Sequence, residues 1–278
     1  HTASMDFCNI AIQSHALNHG GVHITGDITD EAIRNEFARE ALKEGPLDVL
    51  TGGPPCKSMS VASGTTDPYD QRNQLFRSYV QSVSDTQPAV VVMENVRGVI
   101  TTLVPEMRAY PPISKVQKDE VRKFFNMDKT SEKYEQALDD LRKRGLIVCV
   151  ADKVVNDFLA MDYVGGFEVI NFANFGVPQK RVRVIFVFVK RSLDIDWKSL
   201  FPLQTHNKDG SKGLPQWVTI RAALGGLPPA KRPPPKSSGK FNPGPGCIAL
   251  FHYCTEHDRK TIESIKSAQS KRAYGKRC

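Results

Sequence analysis

One cysteine of the chain lies in a turn rich in glycine and proline, directly after a short apolar run. The run, 47–50, predicts a buried strand, and the residues that follow it over 51–60 stop the strand and shape a tight loop. Cys56 lies at the tip of this loop, where a thiol just beyond a strand end is well placed to act as a nucleophile. The same pattern fits a turn with a small buried residue, because unreactive buried cysteines are common. The elements around the loop must decide between these interpretations.

Strands and helices alternate on both sides of this loop. Continuous apolar runs indicate covered strands, and amphipathic stretches with capping residues indicate the helices between them. Alternation at this spacing predicts a doubly wound α/β sheet, interrupted by an irregular insertion. The predicted strands cover 22–28, 47–50, 89–93, 146–150, 167–173 and 182–189; the predicted helices cover 5–19, 30–43, 70–86 and 131–144, and the irregular stretch covers 100–130.

Two carboxylates are predicted at the same edge of the sheet as the cysteine. Asp27 ends one predicted strand, and Glu94 follows another. In a doubly wound sheet the carboxyl ends of the parallel strands share one edge, and ligands bind there. The topology therefore predicts Asp27, Cys56 and Glu94 along one rim, which favours a functional thiol.

The excess positive charge of the chain lies near its end. The stretch 231–278 contains 11 Lys and Arg against three Asp and Glu, which accounts for the net charge of +8, and the stretch 1–230 carries equal numbers of the two signs. A local basic surface suits a polyanionic partner such as nucleic acid, and a solvated tail is an equally consistent interpretation.

Composition places a domain boundary near Leu200, because nine of the 18 prolines lie between 202 and 245. We therefore predict one domain over 1–200, with an insertion at about 100–165, and a proline-rich, basic region over 201–278. The sequence shows no signal peptide and no apolar run near the ~20 residues of a membrane span.

Six cysteines in the chain show neither a disulfide framework nor the paired spacing of a zinc site. A reducing, intracellular compartment is the simplest interpretation. Cys254 lies between His252 and His257, which could suggest a metal site, but no second clustered pair accompanies them. We therefore predict no metal.

Four short motifs follow one another in order, each near the end of a predicted element. Each motif alone is unspecific, but together they resemble the C5-cytosine-specific DNA methyltransferase family. The resemblance implies a Rossmann-like sheet and an activity that depends on S-adenosylmethionine. The resemblance covers roughly 5–225, and two later stretches resemble the approach to that family's target-recognition region. The motifs are Pro54-Pro55-Cys56, Asp70-Gln71-Arg72, Glu94-Asn95-Val96 and Gln179-Lys180-Arg181-Val182-Arg183, and the later stretches are Thr205-His206 and 217–224.

The resemblance implies that Cys56 is the nucleophile. Its thiolate would add to C6 of cytosine, so that C5 could take a methyl group from S-adenosylmethionine. Arg181 and Arg183 would lower the pKa of this thiol below its ordinary value of ~8.5, and would hold the base or its phosphate. Glu94 would hold the N3 edge of the base and share a proton with it, a role that needs a carboxyl group close to protonation in a dry site.

The resemblance also implies residues that contact the cofactor and the nucleic acid. Asp27 would accept a hydrogen bond from the adenine amino group, and Met5 would pack on the adenine ring. The implied contacts with S-adenosylmethionine are Met5, Asp27, Ile28, Pro54 and Leu75, and the implied contacts with nucleic acid are Ser58, Ser60, Asn95 and Gln179.

Three departures from the family pattern lead us to expect the middle part of a longer enzyme. The family begins with a strand and a glycine-rich loop that hold the methionine part of the cofactor, and this chain starts after that point. Ser4 stands where the family usually has an acid for the ribose hydroxyls, and nothing after Arg259 resembles the family's closing segment. We expect the chain by itself to bind S-adenosylmethionine poorly or not at all, which a calorimetric titration would test.

The favoured interpretation is a monomeric DNA cytosine methyltransferase of the restriction–modification type. Its partner is double-stranded DNA with the target cytosine flipped out, because a stacked base cannot reach the rim of the sheet. A tRNA methyltransferase on the same scaffold and a non-catalytic, DNA-binding regulatory relative remain alternatives. We expect no membrane partner and an intracellular location, cytoplasmic for a bacterial or viral source and nuclear for a eukaryotic one.

Overall fold

Strands and helices alternate along the part of the chain that the structure describes. The computed structural model describes residues 1–55, 68–69, 75–106 and 112–226. In chain order the elements are β1 (Ala3–Asp6), α1 (Asn9–Ala16), β2 (Val22–Thr25), α2 (Glu31–Ala41), β3 (Val49–Gly52), α3 (Leu75–Thr86), β4 (Val90–Val96), β5 (Leu103–Pro105), α4 (Lys115–Phe125), α5 (Glu132–Lys143), β6 (Ile147–Cys149), α6 (Val150–Ala160), β7 (Tyr163–Asn171), β8 (Val182–Lys190) and α7 (Ile220–Leu224).

A four-stranded mixed sheet determines where the candidate site lies. Its order is β3-β4-β8-β7, with β3 parallel to β4 and with β8 antiparallel to both of its neighbours. The carboxyl ends of β3, β4 and β7 therefore share one edge with the amino end of β8. The predicted α/β fold is confirmed, and the common edge is the one at which ligands bind in such sheets.

A separate two-stranded sheet precedes the four-stranded one. β1 runs parallel to β2 in a register that places Met5 opposite Ile24. The helix predicted over 5–19 was wrong at its start, because β1 ends at Asp6 and α1 begins only at Asn9. A strand of four residues is too short for its alternation to be distinguished from a helical pattern.

The main hydrophobic core packs the sheet against α2, α3 and α6. Val184 and all four residues of 186–189 in β8 are buried, so both faces of the strand are covered over its second half. Phe158 of α6 stacks on Phe188 with ring centroids 4.1 Å apart. Burial of each such ring contributes about 1.5–3 kcal/mol to folding, so these contacts fix the position of β8 in the sheet.

Two helix predictions are confirmed together with their capping residues. Asp30 precedes α2, and its carboxylate accepts a hydrogen bond from the amide of Ala32. Ser131 caps α5 in the same way, and Gly145 follows that helix with a φ of 65°. A left-handed residue after a helix is most easily supplied by glycine.

The described part of 100–130, a stretch predicted to be irregular, contains the strand β5 and the helix α4. The strands β5 and β6 pair in antiparallel fashion, and α4 begins behind a capping box formed by Ser114 and Gln117. The prediction was wrong because prolines suggested irregular backbone, whereas those within the described ranges lie outside α4. The helix α6 was also missed, since its apolar beginning was assigned to the strand predicted over 146–150.

The chain divides into two compact units, His1–Val218 and Thr219–Cys278. The division falls after the boundary expected near Leu200, because residues beyond Leu200 are attached to the first unit. The amides of Thr205 and His206 donate to the backbone oxygen of Asn174, and the indole of Trp217 donates to its side-chain oxygen at 2.9 Å.

Within the described ranges no helix is long and apolar enough to cross a membrane. In the same ranges, no group of three or more histidine, cysteine, aspartate or glutamate side chains is arranged to hold a metal ion.

Several sequence predictions lie outside the described residues. They are Cys56, Ser58, Ser60, the motif at 70–72, the basic stretch 231–278 and the group His252, Cys254 and His257.

Candidate active site

A carboxylate and two guanidinium groups meet at the carboxyl edge of the four-stranded sheet. The register pairs Val96 with Arg183, so Glu94 and Arg183 are diagonal neighbours on one face. Oε1 of Glu94 lies 2.7 Å from Nε of Arg183 and 3.5 Å from Nη2 of Arg181. The two arginines reach the same carboxylate because side chains two residues apart in extended backbone lie on the same side.

This charged cluster is open to solvent. The side chains of Glu94, Arg181 and Arg183 are 36%, 41% and 20% exposed. The dry surroundings expected for Glu94 are therefore not present in this structure, since its side chain is partly exposed. Exposed ion pairs contribute only about 0–1 kcal/mol to folding, so the cluster adds little to stability.

Asn95 connects the end of β4 to the turn that follows β3. Its side chain lies on the opposite face from Glu94 and is buried, with Nδ2 donating to the backbone oxygen of Pro54 at 3.1 Å. Its Oδ1 accepts from the amide of Val96. The resemblance implied a nucleic-acid contact for Asn95, whereas its described contacts fix Pro54, just before Cys56 in the chain.

Gly52, at the end of β3, allows close approach by a neighbouring ring, and Gly53 follows it beside a carboxylate. A Cβ atom on Gly52 would lie 2.3 Å from Cε2 of Tyr79, and one on Gly53 would lie 3.5 Å from Oε2 of Glu94. Tyr79 donates a hydrogen bond to the backbone oxygen of Val92 at 3.0 Å, and its burial raises the pKa of its hydroxyl well above the usual range. The turn that leads to Cys56 therefore starts beside the Glu94 carboxylate.

The turn between β7 and β8 presents Gln179 and Arg181 at the same rim. Gln179 is exposed, and the backbone oxygen of Arg181 accepts from the amide of Phe172. Gly176 has a φ of 84°, and a Cβ atom there would lie 2.9 Å from Cε1 of His206. The Thr205-His206 stretch thus packs against this turn. The sequence analysis missed this role, although Gly176 was a signal for a tight turn.

The residues implied for the cofactor fall into two groups, one at the two-stranded sheet and one at the end of β3 and the start of α3. Asp27 is exposed just beyond β2, and its Oδ1 accepts hydrogen bonds from the amide and hydroxyl of Thr29, both at 2.8 Å. The partly buried, apolar Met5 and Ile28 pack against the main core near it. Pro54 lies two residues beyond β3, Leu75 is the first residue of α3, and no strand pairing joins β1 to β3 within the described ranges.

The chemistry of the first group fits an adenosyl ligand. An exposed carboxylate beside apolar side chains can accept a hydrogen bond from the amino group of a flat heterocycle while the apolar groups cover its face. Ser4, where the family pattern has an acid, instead lies across the strand pair with its Oγ 2.7 Å from Nδ1 of His23. A ribose contact from Ser4 would have to share its hydroxyl with this histidine.

Taken together, the rim can bind a polar, planar substrate. A carboxylate can engage ring N–H groups, and two guanidinium groups can engage oxygen atoms of a base or a phosphate. Cys56 follows Pro54 by two positions in the chain and lies outside the described residues. The described part of the rim therefore suits binding of a heterocyclic ring.

Comparison with known proteins agrees with this chemistry. The family model for C-5 cytosine-specific DNA methylase matches residues 1–105 and 143–270. The type II methyltransferase M.NgoFVII of Neisseria gonorrhoeae is 26% identical over 223 residues, which cover 80% of this chain and 46% of the relative. M1.HphI of Haemophilus parahaemolyticus is 27% identical over 221 residues, which cover 79% of this chain and 42% of the relative. The chain thus spans about half the length of these curated relatives.

Two further similarities extend the comparison. The type II methyltransferase M.AquIA of Picosynechococcus is 29% identical over 220 residues, which cover 76% of this chain and 72% of the relative. Among solved structures, a putative DNA modification methyltransferase encoded within an E. coli prophage has 24% identity and a TM-score of 0.48, with 82% of this chain and 48% of that chain covered.

Proposed function

We propose that this chain, which belongs to the C-5 cytosine-specific DNA methylase family, methylates C5 of cytosine in DNA. The observation that carries the proposal is the contact of Glu94 with Arg183 and Arg181 beside Gly53, at the start of the turn that contains Cys56. Names of bacterial type II methyltransferases among the relatives support a role in restriction–modification.

Cys56 is the nucleophile in the proposed reaction. Its thiolate adds to C6 of the cytosine, and the electron pair of the C5–C6 bond becomes available at C5. After C5 has gained a methyl group, a base removes the C5 proton, and the C6–sulfur bond breaks to regenerate the ring and the thiolate. Atoms and charge balance, because one proton leaves C5 for each methyl group that it gains.

Glu94 and the two arginines bind and polarise the base. The carboxyl group of Glu94 contacts the N3 edge and shares a proton with it, which draws electrons away from C6 during the attack. Arg183 and Arg181 fix the orientation of this carboxyl group through the contacts at 2.7 and 3.5 Å. Their positive charge also favours the thiolate form of Cys56. A bound base would cover Glu94 and exclude the water that reaches it in the open site.

Residues at the ends of β1, β2 and β3 hold the cofactor in this proposal. S-adenosylmethionine, when bound, supplies the methyl group from its sulfonium. Asp27 accepts a hydrogen bond from the adenine amino group through its Oδ2, since Thr29 donates to Oδ1 and no hydrogen bond to Oδ2 is found within the described residues. Met5 and Ile28 pack on the ring, and Pro54 and Leu75 form the opposite wall.

Double-stranded DNA with a flipped cytosine is the proposed substrate, bound by a monomer. Gln179 is exposed beside Arg181 and suits a contact with the strand that carries the target. Ser58 and Ser60 follow Cys56 in the chain and complete the proposed nucleic-acid contacts. Asn95 contributes indirectly, because its hydrogen bond fixes Pro54, which precedes these residues in the chain. The bacterial relatives favour a cytoplasmic location.

Covalent trapping on duplex DNA that contains 5-fluorocytosine tests this function. With S-adenosylmethionine present, the full-length wild-type protein should form an adduct that survives denaturation, because fluorine at C5 cannot leave as a proton does. The variant Cys56→Ser of the full-length protein should form none. Absence of an adduct from the full-length wild type would favour the non-catalytic alternative, and methyl transfer from tritiated cofactor to tRNA but not to DNA would favour the RNA enzyme.

A further inference from the structure

The helices α4 and α5 form a unit that the family match leaves out. The match omits 106–142, which contain α4 and nearly all of α5. The guanidinium group of Arg144 ties the two helices together, with two contacts of 2.7 Å to the carboxylate of Glu120 in α4 and one of 2.7 Å to Asp140 in α5. The surface of the unit is therefore fixed, unlike that of a loose loop. Its buried core residues are Val121, Phe124, Leu141, Leu146 and Ile147.

The unit is inserted at the carboxyl edge of the four-stranded sheet. β4 ends at this edge with Val96, and the chain enters the unit through the short 3-10 helix Arg97–Ile100 and β5. It leaves the unit through β6 and α6, and α6 leads to Tyr163, which pairs with Lys190 at the opposite edge. The chain thus crosses the height of the sheet in α6, after the unit, so the unit belongs to the edge that carries Glu94.

A contact with the first turn of α3 supports this location. Because α3 connects the carboxyl end of β3 to the amino end of β4, its first turn lies at the carboxyl edge. Nη2 of Arg77 in that turn donates to the backbone oxygen of Pro105 at 3.3 Å, and Nη1 lies 3.8 Å from the carboxylate of Glu106. The side chains of Arg77 and Glu106 are largely buried, so the base of the unit is firmly joined to α3.

Positive charge is concentrated on α4. That helix contains four basic and two acidic residues, whereas α5 contains three basic and four acidic ones. Lys115, Lys118 and Arg122 share one side of α4, because residues three and four positions apart are neighbours on a helix. Lys115 and Lys118 are exposed and form no ion pair within the described residues, while Arg122 contacts Asp119 at 3.0 Å. We call these three basic side chains the α4 basic face.

The α4 basic face is turned toward the connection between β3 and α3. Nζ of Lys118 lies 5.9 Å and Cζ of Arg122 5.2 Å from the centroid of the Tyr69 ring. Tyr69 shortly precedes α3 in the chain, and α3 begins at the carboxyl edge. The face therefore lies on the side of the unit that borders the rim.

The beginning of α4 has an unusual charge for a helix. Acidic residues are favoured in a first turn, because the amino end of a helix carries partial positive charge. The first turn of α5 follows this preference with Glu132 and Glu135, but that of α4 has no acidic residue and begins with Lys115. Departures from local preference are expected mainly at functional sites. Here the positive end of the helix and two lysines lie together, which attracts anions.

We propose that the α4 basic face contacts phosphates of duplex DNA next to the target cytosine. The proposal rests on the function proposed above, which brings a duplex to the rim of the sheet. Lysine and arginine side chains near phosphates release counterions, and such contacts orient a duplex without reading its sequence. Because the unit is already fixed by its own core, little ordering of the backbone opposes binding. The insertion thus extends the nucleic-acid surface beyond the elements that the family match covers.

The test measures how DNA binding depends on salt. The full-length protein and its double variant Lys115→Gln/Lys118→Gln are titrated with a fluorescent duplex of mixed sequence at several concentrations of NaCl. The slope of log Kd against log salt concentration should fall by about 1 for each lysine removed, and so by about 2 in the double variant. Both lysines are exposed, so circular dichroism and urea unfolding should show an unchanged fold.

A matched control removes the same charge at the opposite edge of the sheet. Lys43 lies between α2 and the amino end of β3, and Lys190 ends β8. The double variant Lys43→Gln/Lys190→Gln should keep the slope of the wild type. A second variant, Asp119→Asn, removes the acidic partner of Arg122 and should lower the Kd for the duplex at each salt concentration.

The possible outcomes separate this proposal from the proposed function. An unchanged slope in Lys115→Gln/Lys118→Gln would overturn the contact, and so would an equal fall in the control or weaker binding by Asp119→Asn. Binding of the wild type to tRNA but not to the duplex would also overturn it. If the slope falls as expected while the wild type forms no adduct with 5-fluorocytosine DNA, the proposed function fails and the α4 basic face stands as a DNA contact.

Discussion

At the scale of single residues, the candidate site depends on which face of a strand each side chain occupies. Glu94 and Asn95 are adjacent in sequence and have opposite surroundings: Glu94 faces the rim, and Asn95 is buried against Pro54. Alternation along β4 thus lets one motif supply both a group for chemistry and a group that fixes the neighbouring turn. Exchange of the two residues would remove both contacts.

Replacement of Arg183 by lysine should impair trapping while leaving the fold intact. Lysine keeps the charge but loses the fork of nitrogen donors, so the contact of 2.7 Å between Nε and Glu94 is lost. We expect covalent trapping to slow by about 10–100-fold, with a change of less than about 1 kcal/mol in the free energy of unfolding, since the pair is partly exposed.

The control is Arg191→Lys, at the other end of β8, where Nε of Arg191 lies 3.1 Å from Asp162. This variant alters the same kind of pair far from the rim and should trap at the wild-type rate. Trapping by Arg183→Lys at the wild-type rate would show that Glu94 does not need this guanidinium group.

Replacement of Asn95 by leucine should destabilise the protein. The backbone oxygen of Pro54 would lose its buried donor, which costs about 1–3 kcal/mol, as urea unfolding can measure. Asn18→Leu is the control, because the amide of Asn18 donates to the backbone oxygen of Ser14 at an exposed position and should contribute little. Equal effects of the two substitutions would contradict a special role for the Asn95 contact.

At the scale of elements, the antiparallel strand β8 brings the arginines to the carboxyl edge. A strand parallel to β4 would present its amino end, and with it Arg183, at the opposite edge. The long connection from β4 through α6 to β7, and the short turn from β7 to β8, reverse the chain direction so that Val96 pairs with Arg183. Close packing of α3 on β3 fixes the other side of the rim.

Replacement of Gly52 by alanine should strain the contact between β3 and α3. The added Cβ would lie 2.3 Å from a ring carbon of Tyr79, which is buried and hydrogen-bonded and therefore has little room to shift. Overpacking of this kind costs about 1–3 kcal/mol, measurable by urea unfolding. Gly98→Ala is the control, since the nearest atom to its Cβ is 4.0 Å away. A loss in Gly52→Ala no larger than in the control would contradict the prediction.

At the scale of the whole molecule, charge is distributed unevenly. The stretch 1–230 is neutral overall, and the stretch 231–278 holds the entire excess of +8. At the other end of the chain, imidazole rings gather where β1, α1 and β2 meet: His15 lies with its ring centroid 4.4 Å from that of His19 and 5.3 Å from that of His23. The basic stretch should make binding to polyanions depend on salt, and the imidazole cluster should make stability depend on pH.

Acidification should destabilise the first unit through His15. Desolvation and then the neighbouring His19 and His23 lower the pKa of His15 from its ordinary value of 6.5. The unfolded chain therefore binds the proton more readily, so the contribution of His15 is present above pH 6.5 and is lost as the pH falls below it.

The measurement is the Tm at pH 7.5 and at pH 5.5 for the wild type and for His15→Gln. The difference in Tm between the two pH values should be smaller in the variant, because glutamine does not titrate. An unchanged difference would show that other groups cause the acid sensitivity.

The sequence by itself determined the strands and turns whose signals are local. Continuous apolar runs marked β4 and β8, and the residues around Cys56, Glu94 and Arg183 carried the family resemblance that the match over 1–105 and 143–270 supports. Such signals survive without tertiary information, because a buried strand needs an apolar run wherever it lies in the sheet.

Only the tertiary structure decided which distant residues touch. The bond from Asn95 to Pro54 spans 41 positions, and the contact of Tyr69 with Arg122 joins a turn to a helix that the sequence pattern had marked as irregular. Contacts of this kind depend on register and on the packing of whole elements. Neither can be inferred from the residues on one side of the contact alone.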